Sequence, residues 1–158
     1  MGGVSKMILT HKDDVADHSH WSKALNCERW IHKNDAAAAP QAEKLISKMD
    51  SPSLVGNLKL IPTPGHTQGS IVVLIGEKSQ ILFSGDHLWW DPKKKRLIAS
   101  RKYCWWNWSE QVKSIRKLLE LDINWLFPGH GGMHQFEPGE WKVPLKETLA
   151  FLETSSTT

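Results

Sequence analysis

Short apolar runs alternate with helical stripes along the chain. Residues 6–10 form an apolar run that closes on a polar cluster, which predicts a buried strand. Residues 16–25 predict a helix with Trp21, Ala24 and Leu25 on one face, and residues 29–32 a short strand. Ala42, Leu45, Ile46 and Met49 recur at i, i+3, i+4 and i+7, predicting a helix over 41–49 that Asp50-Ser51-Pro52 ends. Residues 58–63 and 71–75 are strand-like runs of Leu, Ile and Val. After a turn at 76–79, residues 80–84 return as the second strand of a hairpin. Asn107 and Glu110 form an N-capping pair ahead of a stripe made by Trp108, Val112, Ile115, Leu118 and Leu119. Residues 124–127 predict a strand stopped by Pro128-Gly129, and Leu145, Leu149 and Leu152 a final amphipathic helix. Strands alternating with helices around a central hairpin point to mixed α/β (α+β) layers in one domain of 158 residues.

Composition narrows the class. A hydrophobic fraction of 40% with 23% charged residues excludes a disordered or collagen-like chain. No apolar run reaches the roughly 20 residues of a membrane-spanning helix. The opening MGGVSKMILT lacks the apolar stretch and cleavage site of a secretory leader, and two cysteines make no disulfide framework, so the expected compartment is the cytoplasm. The net charge of +3 is too small and diffuse for a nucleic-acid footprint. Eight histidines and nine tryptophans are more unusual.

The histidines and aspartates gather where predicted strands end. Residues 6–10 run into His11-Lys12-Asp13-Asp14, with Asp17-His18 soon after. Residues 58–63 run into Pro64-Gly65-His66-Thr67, 80–84 into Gly85-Asp86-His87, and 124–127 into Pro128-Gly129-His130-Gly131. A rigid sheet positions loop residues accurately, glycine lets backbone approach a bound ion, and imidazole with carboxylate suits zinc, iron or manganese. Taken singly, a histidine beside a glycine is a turn residue, and His20, His32, His87 and His134 read that way. Four coordinated junctions point instead to a metal site.

These segments resemble the metallo-β-lactamase superfamily in order and spacing: Thr10-His11 with Asp17-His18, then TPGHTQGS at 63–70, FSGD at 83–86 and PGHG at 128–131. The resemblance spans about Met7 to Gly132. It implies a four-layer αββα sandwich with one or two metal ions at one edge, and hydrolysis in most members. Carried over, His11 and His66 are ligands of a first ion, Asp17, His18 and His130 of a second, and Asp86 the bridge. The chain departs from the family's His-x-His-x-Asp-His. Asp13 stands where the second histidine belongs, and Asp17-His18 arrive two residues late. Either the loop bulges or Asp13 and Asp14 share the missing role, unless one of them merely caps the next helix. A carboxylate in that slot resembles the family's iron-binding oxidoreductase branch. Few residues precede His11, so an open sheet edge, favouring a homo-oligomer, is expected.

The function expected is metal-dependent hydrolysis of a small thioester, ester or lactone by a metal-bound hydroxide, using zinc, with iron or manganese as alternatives. Asp17 would handle the proton, and His130 would polarise the substrate oxygen. The competing readings are an iron-binding oxidoreductase and a binding protein that lost its chemistry. Trp89, Trp90, Trp105, Trp106 and Trp108 follow Asp86 and could line an apolar pocket or cover core and edge. Lys93-Lys94-Lys95-Arg96 could receive an anion or form a solvated turn. The partner expected is a small-molecule substrate, with no membrane and no nucleic acid.

Overall fold

The computed structural model describes residues 3–47, 56–78 and 80–154. Strands β1 (Lys6–Leu9), β2 (Glu28–His32) and β3 (Lys44–Ile46) form a parallel sheet in the order β1-β2-β3. The larger sheet contains β4 (Leu58–Pro62), β5 (Ile71–Ile75), β6 (Gln80–Gly85), β9 (Ile123–Pro128) and β10 (His134–Gln135), ordered β10-β9-β6-β5-β4. Its β4–β5–β6 meander is antiparallel, and β6 pairs with β9 in parallel. Strands β7 (Trp89–Asp91) and β8 (Arg96–Ile98) make a separate hairpin.

Three apolar clusters hold these layers. Ile46, Leu60, Ile71 and Val73, with Ile8, Trp30 and Leu58 against them, fill the space between the two sheets. On the far face of the larger sheet, helices α2 (Trp108–Lys117) and α3 (Lys142–Thr154) bury Val112, Ile115, Leu145, Leu149 and Leu152 against Val72, Leu74, Leu82 and Leu126. On the other face of the small sheet, Leu9 and Ile31 meet Ala39, Ala36 and Val15. Helix, sheet, sheet and helix therefore stack as expected. Among the described residues no helix is long and apolar enough to cross a membrane.

Two expectations change. Residues 44–46 form β3 instead of helix: Lys44, Leu45 and Ile46 pair with Trp30, Ile31 and His32. Leu45 is exposed and Ile46 buried, and backbone pairing along β2 overrides the helix-like spacing. Met49, the Asp50-Ser51-Pro52 stop and the tail at 155–158 lie outside the described residues. Helix α1 (His18–Leu25) forms, but Trp21 and Leu25 face solvent, 53% and 42% exposed, while Ser22 turns inward and donates to the Cys27 carbonyl at 2.8 Å. Asn107 does cap α2, accepting from the Glu110 N–H.

Two polar anchors position the loops. Asp35, 1% exposed, lies in the 3₁₀ segment Lys33–Ala38. Its Oδ2 accepts from the Lys12 N–H at 3.0 Å and from the Thr67 hydroxyl, and its Oδ1 accepts from the Gly69 N–H at 2.9 Å. One carboxylate thus fastens the loop after β1 to the loop after β4. Gly69 is required there, because a Cβ would sit 2.6 Å from the Asp35 carboxyl carbon. The second anchor is Arg29, buried on β2, whose Nε and one terminal nitrogen grip the Glu43 carboxylate at 3.1 and 2.6 Å. The Arg29 side-chain and backbone hydrogen bonds hold the Glu43 carboxyl at a pKa of about 2.

Replacing Asp35 with Ala should cost about 3 kcal/mol or more, because several buried donors lose a charged acceptor together. Denaturant unfolding tests this, and a loss below about 1 kcal/mol would contradict the anchor. For Glu43 the folded pKa lies below the unfolded one. Its stabilisation is therefore complete above about pH 4.5 and is lost as pH falls toward 2. Glu43→Gln should lower Tm at neutral pH and flatten that acid limb; an unchanged limb in thermal scans counts against the assignment.

Candidate metal centre

Each strand-end loop delivers one polar group to a common point. Beyond β1, the Thr10 hydroxyl meets His11 Nδ1 at 2.9 Å, which leaves Nε2 for the centre. Beyond β4, the loop closes through the Thr63 N–H to the Ser70 carbonyl at 2.8 Å and lies flat on α2 at Gly65, where a Cβ would fall 2.2 Å from the Gln111 Cα. The next residue, His66, is held by its carbonyl, which accepts from the Trp105 N–H at 2.9 Å, and by a backbone hydrogen bond from its ring to Tyr103. A register shift between Phe83 and Gly85 re-aims the end of β6, so that Asp86 leaves the sheet toward these imidazoles. Beyond β9, Gly129 lets the chain pass Asp86, because a Cβ there would lie 2.5 Å from Asp86 Oδ1. His130 follows.

Asp86 Oδ2 lies 3.5 Å from His11 Nε2, 3.9 Å from His66 Nε2 and 3.4 Å from His130 Nε2. Asp13 Oδ2 lies 3.0 Å from His66 Nε2. The His11 and His66 rings meet edge to face at 4.9 Å, and donor atoms of His11, Asp13 and His66 lie within 4.8 Å of one another. His11 Nε2, His66 Nε2 and Asp86 Oδ1 are buried with no hydrogen-bond partner. Buried lone pairs facing one another without donors are what a cation would satisfy, so the residues fit a divalent metal.

The electrostatics agree. Burial disfavours charge on both buried imidazoles. At His11 the opposing pull of Asp86, aided by Asp13 and Asp14, wins and raises the pKa. At His66 burial and the neighbouring His11 win and lower it. Burial also opposes ionisation of Asp86, but His11, His130 and His66 together hold its carboxyl below the ordinary value. The Asp86 carboxylate is thus favoured in its ionised form and His66 in its neutral form, while His11 is drawn toward its charged form by the same carboxylates that a cation would neutralise.

The centre opens into a cavity of about 590 Å3. Asp13, Asp14, His66, Asp86 and His130 supply its polar surface, and Trp89, Tyr103 and Trp105 its apolar wall. Of the other tryptophans, Trp90 stacks on His134 at 3.8 Å, and Trp106 and Trp108 line a separate hollow of about 640 Å3 that carries no imidazole. Lys93, Lys94 and Lys95 form the exposed connection of the β7–β8 hairpin, in which Asp91 accepts from the Lys93 and Lys94 N–H groups, and Arg96 opens β8 with its guanidinium over the Phe151 ring. Cys27 and Cys104 are free.

Two expected residues are not brought to this cavity. Asp17 is exposed at the N-cap of α1, where its side chain makes no capping bond. His18, the first residue of that helix, has its Nδ1 3.3 Å from an Arg29 guanidinium nitrogen. The left-handed turn at Ala16, φ 41°, diverts the chain before either can face Asp86. Asp14, next to Asp13 in the chain, also lines the cavity. Sequence reasoning gives no sign of Asp35, since an aspartate just ahead of an alanine run carries no ligand pattern. Of the remaining histidines, His32 accepts from the Asn34 N–H. His87 is fully buried behind Asp86, and desolvation pushes its pKa down to about 3.

Comparison with known proteins matches this geometry. The profile described as Metallo-beta-lactamase superfamily matches residues 4–130. A "Beta-lactamase-like protein 2 homolog" of Drosophila melanogaster is 30% identical over 77 residues, 49% of this chain and only 23% of that protein. Among solved structures, a metallo-beta-lactamase from Erythrobacter litoralis aligns at TM-score 0.71 with 18% identity, covering 96% of this chain and 68% of that one. TTHA1623, solved in a di-iron-bound form, aligns at TM-score 0.59 with 21% identity, covering 81% and 70%. The sandwich, the four strand-end loops and the matched profile together place the chain in the metallo-beta-lactamase superfamily.

Proposed function

We propose that the protein is a metal-dependent hydrolase of a small acyl compound: a thioester, ester or lactone. The observation that carries this reading is the pair of partnerless buried imidazole nitrogens with one partnerless carboxylate oxygen beneath an aromatic-walled cavity. His11, Asp13 and His66 would hold one ion, with Asp86 between it and His130. A divalent ion there supplies Lewis acidity toward a carbonyl oxygen and brings the pKa of a water to ~7.

The protein's own groups do the rest. His130, with a side chain 73% exposed, stands at the mouth beside Asp86 and can hydrogen-bond the substrate oxygen or relay a proton. Asp86 orients that ring. Trp89, Tyr103 and Trp105 hold the apolar acyl portion and displace water from the reacting carbonyl. Zinc, iron and manganese all suit two imidazoles with two carboxylates. Asp13 adds an oxygen donor where the family uses imidazole, which favours iron or manganese and supports an oxidoreductase-type iron protein as the second reading. An iron absorbance band that bleaches on reduction would identify that second reading.

Protein stripped with a chelator and reloaded with zinc, manganese or iron should hydrolyse at least one member of a thioester, ester and lactone panel. His130→Ala should then lower kcat/KM by roughly 10²-fold. Loaded protein that turns over no member of the panel would overturn the proposal.

A further inference from the structure

We propose that the hollow beside the first turn of α2 is a binding site for a nucleoside phosphate, with the base taken by an indole and the phosphate by a guanidinium. The site lies outside the metal centre and does not depend on the hydrolase reading.

The hollow, about 640 Å3, falls within the roughly 300–1,000 Å3 of small-molecule sites. Helix α2 lines it with Trp108, Val112 and Arg116, spaced i, i+4 and i+8 on one helix face, and α3 contributes Glu153. Val112 is buried, so the innermost lining is apolar. The segment ahead of α2 separates this hollow from the metal cavity. Tyr103 and Trp105 line the metal cavity, whereas Arg101 and Trp106 line the hollow.

Trp106 is 45% exposed and stacks on no other ring among the described residues. Its backbone is nonetheless fixed. On one side the Trp105 N–H donates to the His66 carbonyl at 2.9 Å, and on the other the Asn107 N–H donates to the Gly65 carbonyl at 3.0 Å. An indole held on a bound segment loses little freedom when a flat ring stacks on it, and every nucleobase offers such a face.

The cations stand beside that ring. Arg101 makes no side-chain hydrogen bond or ion pair among the described residues. Lys113 pairs with Glu110 at 2.7 Å, and Arg116 pairs with Glu153. A guanidinium has five donors and an ammonium three, so both pairs leave donors for an anion. Arg101, Lys113 and Arg116 face one lining carboxylate, Glu153, and the first turn of α2 adds the positive end of a helix at Trp108 and Ser109. The unpaired fork of Arg101 matches phosphate in two-point geometry. A bare anion would not use Trp106, and an apolar ligand would not use Arg101. A base joined to a phosphate uses both. Such a group can come as a free nucleotide or as the nucleotide end of a larger thiol carrier.

The test is calorimetric titration of the chelator-stripped full chain, in which no phosphate can ligate a metal. ADP should bind, with adenosine and inorganic phosphate each at least ~10-fold weaker, since each offers half of the recognition. Arg101→Gln should weaken ADP at least ~10-fold and leave adenosine within about threefold, whereas Trp106→Ala should weaken both. Trp105→Ala, on the metal-cavity side of the segment, should leave ADP affinity unchanged. Thermal unfolding checks that each variant is folded. Coenzyme A separates the two sources: it should bind more tightly than ADP, with the excess lost in Trp105→Ala, if the nucleotide belongs to a thiol carrier, and no more tightly if free nucleotide is the ligand. Absence of ADP binding up to about 1 mM, or an affinity unmoved by both Arg101→Gln and Trp106→Ala, would overturn the proposal and leave the hydrolase reading untouched.

Discussion

The candidate metal centre depends on a residue that does not touch it. Asp35 joins two loops that are far apart in sequence, and only while they are joined can His11 and Asp13 face His66. Backbone N–H groups give this joint its stiffness: the carboxylate grips the chain at Lys12 and Gly69, so the loops cannot drift by changing a side-chain rotamer. The imidazoles are thereby pre-positioned in a buried place where unpaired lone pairs are costly. The apolar clusters on both sides of the two sheets supply the stability that this polar arrangement gives up.

A division of labour follows within the centre. His11 and His66 are buried and held from behind, one by the Thr10 hydroxyl and the other by the backbone at 103–105. Asp13, Asp14 and His130 reach in from exposed turns. Asp86 sits between the two groups and leaves β6 at a register shift. The fixed side can hold charge in place, while the exposed side can exchange ligands with solvent.

Much of this was legible in the chain. His11, His66, Asp86 and His130 each stand in the loop that follows a strand, and the glycines at 65, 85 and 129 mark where backbone passes close to another group. The hairpin of β5 and β6, the Asn107 cap and the final helix were equally plain, because each rests on local chemistry. What could not be read depends on distant partners. Asp17 and His18 have the right identities for ligands, but after the left-handed turn at Ala16 neither lines the cavity, and His18 lies beside a guanidinium on a neighbouring strand. Residues 44–46 have a helix-like spacing, yet a parallel partner strand outweighs it. Asp35 has no local signature, since its meaning comes from backbone groups more than twenty residues away.

The aromatic wall has a consequence for how the protein can be watched. Trp89 and Trp105 flank the cavity, whereas Trp30 packs between the sheets and Trp141 lies fully buried against the helices. A paramagnetic ion seated below would drain the emission of the two nearby indoles far more than that of the distant ones. The chain therefore contains its own optical gauge of occupancy, and no dye or tag needs to be attached beside the site.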